Sequence, residues 1–589
     1  YCIFSDISLD NENSIIHCVS NIKSIKIMNT SITYSGQNTG SNVIKPQSSC
    51  VGVLEFIDCT FEKCFDSGAI SIQDPLCSNF DIKISECTFL DCYTSENGGG
   101  AIAITTNKSV QIENCYFENC RVENTNSYSD IKGGAIFVKY NEKSDKFHLA
   151  NITINGTITN TDCSAICFEC QECDAFFVHD CNFINCKTRC FLGSSYNVLS
   201  SPDSVKQFEC TNTSFVFDEK SASNPRAVFV ESSTFAFDSC SFIRCGSESV
   251  DEGGSIFYDG TDSSTETISI INCIFDECHA VDSGAVKLKL NTSSTAPHLS
   301  NNSIIHLESV YSMTIEYKNS DLSEIVIFER HKFIGNTGAV DGGGSGVLVN
   351  NYHEDENDFW VHLHFINCDF INNYSPNNGG GFGIGSNYSV KSTQLSIESC
   401  FFSGNRCDGS NGGGALWIRT SNMCTVFNSI FVNNSSSETN SSNGGAIYLS
   451  FSSKLVSMWI NNCSFVNNSS PSPHSKGHCI YSTLLYGIID ILFSNFTDNG
   501  FGNENPNSVV YTNSELSILY SKIEFTDKEK AFSRAIFIGT SSRLSMRGNR
   551  IVNCSYRSGS GAALYYQIVK NRESSDVSIF DNTFINNTA

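Results

Sequence analysis

Along this chain, short runs of alternating apolar and polar residues are cut by stretches rich in Asn and Ser, and helical periodicity is nowhere sustained. The pattern predicts strands. In residues 110–137, VQIENCYFENCRVENTNSYSDIKGGAIF, Val110 and Ile112 alternate with polar neighbours, and Cys115 and Phe117 do the same. Each pair therefore shares one face of a strand. The parity shifts by one between the pairs, which predicts a bend or bulge near Glu113 and Asn114. A polar linker follows, and then an apolar strand opened by glycine, GGAIFV at 133–138.

Both elements recur. The first returns as CTFEKC (59–64), CTFLDC (87–92), CYFENC (115–120), CNFINC (181–186), CSFIRC (240–245) and CIFDEC (273–278). Further on Asn takes the last slot, as in CDFINN (368–373), CFFSGN (400–405), SIFVNN (429–434), CSFVNN (463–468), SNFTDN (494–499) and NTFINN (582–587). The second returns as SGAISI (67–72), GGAIAI (99–104), GGALWI (413–418) and GGAIYL (444–449), among others. An interval of roughly 26–37 residues, two or three short strands per cycle and glycine at one corner predict a right-handed parallel β-helix of roughly 18–20 coils. A β-propeller fits less well, because the intervals are short and no Trp-Asp dipeptide punctuates them.

The whole chain, 1–589, reads as one continuous solenoid, with room for a longer parent protein. A Cys-rich first half covers about 1–290, degenerate coils and loops about 291–332, and an Asn-ladder half about 333–589. Stacked coils should place Phe on Phe inside, with Asn405, Asn434, Asn468, Asn499 and Asn587 forming a ladder at the turn that satisfies buried backbone groups. Asn467 should point outward and Asn468 inward.

Composition narrows the partners. A net charge of −25 with no basic stripe argues against nucleic acid, anionic membranes and polyanionic polymers. Twenty-nine cysteines at near-regular spacing fit an oxidising, extracellular or cell-surface location. The opening Tyr1 and Cys2 are what removal of a signal peptide would leave. Roughly 18 N-x-S/T sequons, against about 13 expected by chance, add modest support. The N-glycosylation candidates are Asn107, Asn151, Asn155, Asn212, Asn291, Asn301, Asn373, Asn387, Asn433, Asn440, Asn462, Asn467, Asn495 and Asn553.

The alternation of GGAI (Gly133–Ile136, Gly444–Ile447) with FxxN (Phe370–Asn373, Phe431–Asn434, Phe465–Asn468, Phe584–Asn587) resembles the repeats of polymorphic outer-membrane proteins (Pmp) and of Pmp-like surface proteins of trichomonad-type protists. The resemblance implies a right-handed β-helix displayed at a cell surface, with adhesion as its role and no catalytic residue. The chain departs from the bacterial pattern in lacking a C-terminal membrane barrel, in its many FxxC units and in its abundant sequons. Those departures favour a eukaryotic secreted or anchored relative.

The remaining chemistry is structural in expectation. Disulfides could close within coils, as Cys59–Cys64, Cys87–Cys92, Cys115–Cys120, Cys181–Cys186, Cys240–Cys245 and Cys273–Cys278, or between neighbouring coils. Cys163, Cys167, Cys170 and Cys173 have C-x-x-C spacing, and disulfides are preferred there over a metal. Asn160-Thr161-Asp162 and Gly477-His478 resemble fragments of polygalacturonase motifs. No Asp-Asp pair accompanies them, and Arg330-His331-Lys332 falls in the wrong order, so no catalytic residue is expected. The pair His362 and His364 reads as surface histidines, and the acidic run from His353 to Asp358 as a solvated loop rather than a calcium site. No cofactor and no metal is expected.

The functional expectation is a non-enzymatic β-helix for adhesion or surface display, bound to host or neighbouring-cell molecules or to its own subunits and carrying N-linked glycans. The contacts are expected near 291–332, 352–360 and 497–515. The alternatives are a structural subunit of an extracellular filament or coat, given the uncapped last coil, and third a polysaccharide lyase or hydrolase.

Overall fold

The computed structural model describes the chain except residues 1, 8–13, 20–23, 35–41, 48–51, 66–67, 73–79, 96–97, 123–132, 160–162, 189–196, 202–204, 223, 232–233, 249, 251, 261–266, 292–295, 319–322, 339–343, 345, 352–359, 385–391, 420, 438–441, 451–456, 473–474, 484–486, 501–506, 528–532, 540–542, 557–560 and 568–575. The described residues hold strands and no helix, and the strands stack in parallel as a β-solenoid. The chain divides into two compact units, Tyr1–Thr295 and Ala296–Ala589.

Among the described residues of the first unit, ten strands occupy the position of the C-x-F frame: Cys2–Ile7, Thr30–Tyr34, Thr60–Glu62, Thr88–Leu90, Tyr116–Glu118, Thr153–Asn155, Asn182–Ile184, Ser214–Val216, Ser241–Ile243 and Ile274–Asp276. Each pairs in parallel with the next. The second unit has ten more, Ser303–Ile305, Lys332–Ile334, Asp369–Ile371, Phe401–Ser403, Ile430–Val432, Ser464–Val466, Asn495–Thr497, Lys522–Glu524, Arg550–Val552 and Thr583–Ile585, again joined in sequence. The register sets each Phe on the next. Ring centroids of Phe61, Phe89 and Phe117 are 5.0 and 4.7 Å apart. Those of Phe370, Phe402, Phe431 and Phe465 are 4.5, 4.8 and 4.7 Å apart, with planes nearly parallel. The rung spacing of about 4.8 Å suits offset stacking of one ring on the next.

Two corners flank most of the Phe strands, and in most coils both are set by a residue in left-handed backbone. The shift of parity near Asn114 is such a corner, with φ 54°, and Val110 and Ile112 before it and Cys115 and Phe117 after it are all buried. The second corner lies one residue before the Cys or Asn slot, at Asn119 (φ 52°) and Asn372 (φ 53°), for example. The slot itself therefore points inward instead of forming the turn. Asn, Asp and Gly dominate these corners because they accept left-handed backbone at low cost.

Glycine opens the third strand for two reasons. Gly444 has φ 65°, and a Cβ there would stand 2.3 Å from the Ile447 carbonyl oxygen. Gly444→Ala is expected to destabilise the second unit by about 2 kcal/mol or more. A lowered Tm with unchanged far-UV circular dichroism at 20 °C would check this.

The stretch 291–332, expected to be degenerate, contains an ordinary coil over its described part: His298–Ser300, Ser303–Ile305, Glu308–Ser309 and Tyr311–Lys318. It escapes the motif because Ile304 replaces Phe, while Asn302 and Leu307 fill the two inward slots, all three buried. The break between units falls at Thr295/Ala296, at the N-terminal edge of that stretch.

Candidate functional site

The inward slot after the second corner is a hydrogen-bonding device. Asn405 donates from Nδ2 to the Phe370 carbonyl at 2.8 Å and to Asn434 Oδ1 at 2.9 Å. Its backbone N–H also donates to Asn434 Oδ1, at 3.1 Å. The same contacts repeat through Asn373, Asn434 and Asn468, and Asn499 closes the ladder with a bond to the Phe465 carbonyl at 2.9 Å. Every one of these amides is buried. The left-handed corner frees a carbonyl and an N–H on each rung, and one Asn satisfies both, as buried backbone groups require. Asn336, which begins the series, accepts from Leu307 N–H at 2.9 Å. Asn587 sits in the same slot but serves Cys554, whose N–H it accepts at 2.8 Å, since Phe525 and Cys554 interrupt the series.

Cysteine performs half of this task in the first unit. The Cys92, Cys120, Cys245 and Cys278 thiols donate to the carbonyls of Phe61, Phe89, Phe215 and Phe242, the Phe of the preceding coil in each case. Cys and Asn are thus alternative donors to one carbonyl. The other slot, ahead of Phe, holds Cys59, Cys87, Cys115, Cys181, Cys240 and Cys273, and in the second unit Ser429, Ser494 and Ser521 take that role. Burial pushes the Cys186 thiol up to about 12, so it is protonated and a donor at neutral pH.

The within-coil closures Cys59–Cys64, Cys87–Cys92, Cys115–Cys120, Cys181–Cys186, Cys240–Cys245 and Cys273–Cys278 are not formed. The geometry explains it. Thr60–Glu62 runs straight between Cys59 and Cys64, and the corner comes only at Lys63. Three extended residues span roughly 10 Å, beyond the roughly 7 Å Cα limit of a disulfide. Phe61 stands between the two thiols. Cys163, Cys167, Cys170 and Cys173 are likewise not joined by disulfides and are spread along the single strand Cys163–His179.

The other expected features separate in space. Asn160-Thr161-Asp162 and the run 353–358 lie outside the described residues. Arg330 is an exposed corner residue beside Glu329, whereas His478 is fully buried beneath Gly500, with five Phe strands between them in sequence. His362 and His364 stack at 5.8 Å, and each has a partner on the next coil: Ser396 Oγ at 2.7 Å and Glu398 Oε2 at 3.4 Å.

Of the sequons, Asn151, Asn212, Asn301, Asn433, Asn462, Asn467 and Asn495 are exposed, and Asn107, Asn155 and Asn553 are partly so. Asn467 faces outward and Asn468 inward. Asn373 is corrected: it is 1% exposed, with its amide committed to Phe333 and Asn405, so a glycan cannot be placed there in the folded chain. Asn387, Asn440 and the Asn291 side chain lie outside the described residues.

One feature escaped the sequence pattern. The corner before the Phe strand is Asn428 and Asn462 in two coils, but Phe493 (φ 48°) and Tyr520 (φ 51°) in the following two. Their rings stack at 5.4 Å and are 54% and 46% exposed. Gly548 continues the corner, and a Cβ there would come 2.5 Å from the Tyr520 ring. Bulky aromatic residues rarely adopt left-handed backbone, and these two gain little burial in return. Leu492 and Leu519 beside them are half-buried, and Phe427 and Trp459 on the preceding coils are exposed. Apolar outward residues at neighbouring positions could have signalled this strip, but the Phe of the core motif masks them. No protein-family profile matches the chain, and no curated protein matches it significantly.

Proposed function

We propose that the protein is a non-enzymatic β-helix of the cell surface or extracellular space that serves adhesion, and that the Phe493–Tyr520 corner is a contact surface. The resemblance to Pmp-like surface repeats points to this role. The observation that carries it is the exposed aromatic pair in strained backbone. Asn would fit those positions better and stabilise the coil more, so the rings are there for something outside the fold. A rigid ladder presents them without an ordering cost, and stacked aromatic rings are common anchors of binding surfaces.

The test uses the immobilised full chain against a panel of intact cells and glycans, comparing the parent with the double variant Phe493→Asn, Tyr520→Asn. Binding is expected to fall about 10- to 100-fold, while Tm stays level or rises because Asn tolerates the corner. No binding by the parent, equal binding by the variant, or depolymerisation of a glycan would each overturn the reading.

A further inference from the structure

The Asn ladder ties coil to coil through side chains, with Nδ2 to Oδ1 distances of 2.9–3.1 Å along Asn373, Asn405, Asn434, Asn468 and Asn499. A thiol that donates to the Phe carbonyl has no second donor for such a tie. The cysteine slots nevertheless stand in columns. Backbone bonds from Thr88 N–H to the Cys59 carbonyl and from Tyr116 N–H to the Cys87 carbonyl, at 2.8 and 2.9 Å, put Cys59, Cys87 and Cys115 on consecutive rungs. Tyr93 N–H to the Cys64 carbonyl and Arg121 N–H to the Cys92 carbonyl do the same for Cys64, Cys92 and Cys120. Ile274 N–H and His279 N–H place Cys273 on Cys240 and Cys278 on Cys245, and Phe401 N–H places Cys400 on Cys368. Side chains of neighbouring coils meet in these columns: the Cys368 N–H donates to Cys400 Sγ at 3.4 Å, and the Cys87 thiol lies within hydrogen-bonding reach of both Cys59 and Cys115. The rung spacing of about 4.8 Å lies inside the roughly 4.4–6.8 Å Cα window of a disulfide.

We propose that these columns are oxidation sites, and that disulfides run along the solenoid axis from one coil to the next, as the covalent counterpart of the Asn ladder. One bond forms in each triple, Cys59/Cys87/Cys115 and Cys64/Cys92/Cys120, leaving one thiol. Single bonds join Cys240 to Cys273, Cys245 to Cys278 and Cys368 to Cys400. The oxidant is a disulfide of a small thiol or a thiol oxidoreductase. Two protein thiols lose two protons and two electrons as their S–S bond forms, and the oxidant's S–S bond is cleaved to two thiols. Cys59, Cys87, Cys92 and Cys120 are at most 1% exposed, so the exchange belongs to the stage when the coils assemble.

The reduced, denatured full chain is refolded in a glutathione redox buffer, alkylated and mapped by mass spectrometry without reduction. The expected cross-links are Cys59–Cys87 or Cys87–Cys115, Cys64–Cys92 or Cys92–Cys120, and the three single pairs, with one alkylated cysteine per triple. Cross-links of the Cys59–Cys64 type, a scrambled mixture, or alkylation of every cysteine in a buffer that fully oxidises a secreted control protein would overturn the proposal. The double variant Cys87→Ser, Cys92→Ser removes the centre of both triples. It should lose both of those links and keep Cys240–Cys273, and a surviving link from Cys59 to Cys115 would also overturn the proposal. If the variant does not fold, the map of the parent still decides.

Discussion

Replacing Asn434 by alanine is expected to destabilise the unit Ala296–Ala589 by about 4 kcal/mol. The side chain is fully buried at the centre of the amide ladder. Its Nδ2 serves the Phe402 carbonyl at 3.0 Å and Asn468 Oδ1 at 2.9 Å, while its Oδ1 accepts from the backbone and the side chain of Asn405. Alanine leaves a buried carbonyl and a buried N–H without partners, at roughly 1–3 kcal/mol each, and adds a small cavity. Asn434→Cys keeps the donor to Phe402 and loses only the acceptor, as in the coils that carry Cys naturally. It should recover about half of the loss. Urea unfolding of both variants measures the difference, and equal losses would show that the slot is only a matter of volume.

The stability of the same unit is expected to fall as the pH drops from 6.5 to 4. His331 occupies the slot ahead of Phe333, fully buried between the Phe328 and Phe333 rings at 5.6 and 5.9 Å. Burial holds its pKa down to about 4. The Leu299 carbonyl faces the ring and slightly favours the charged form, at a geometry too poor to satisfy either ring nitrogen. In the unfolded chain the imidazole binds its proton near pH 6.5. Between the two values the unfolded state holds more protons, so stability is fully present above about pH 6.5 and is lost as the pH falls towards 4. The loss attributable to this residue is about 2.5 kcal/mol at pH 4.5. The variant His331→Asn carries the residue found at the matching position in Asn302 and Asn549. It should flatten that part of the profile. Urea titrations of parent and variant at pH 7.5 and 4.5 give the comparison, and a difference that does not change with pH would refute the assignment.

Much of this molecule was legible from local pattern. Phe61, Phe89 and Phe117 recur in register, and a side chain that returns once per coil must meet its own kind one rung away. Asn405, Asn434 and Asn468 were expected as a ladder on the same argument. The glycine corners follow from a backbone conformation that only glycine adopts freely. The cysteines were harder. The spacing of Cys59 and Cys64 is compatible with a turn between them, and only the straight run of Thr60–Glu62, with its corner deferred to Lys63, keeps the two apart.

The sequence by itself determined the repeat, the class of strand and the residues that face the core, because those depend on periodicity of two along a strand and on a near-constant interval between coils. The tertiary structure alone decided which thiols are neighbours, that Asn373 is closed to modification and that Phe493 and Tyr520 meet on one exposed corner. These are contacts between residues some 27–40 positions apart. Variable loops set such separations, so only the parallel register of the finished coils brings the partners together.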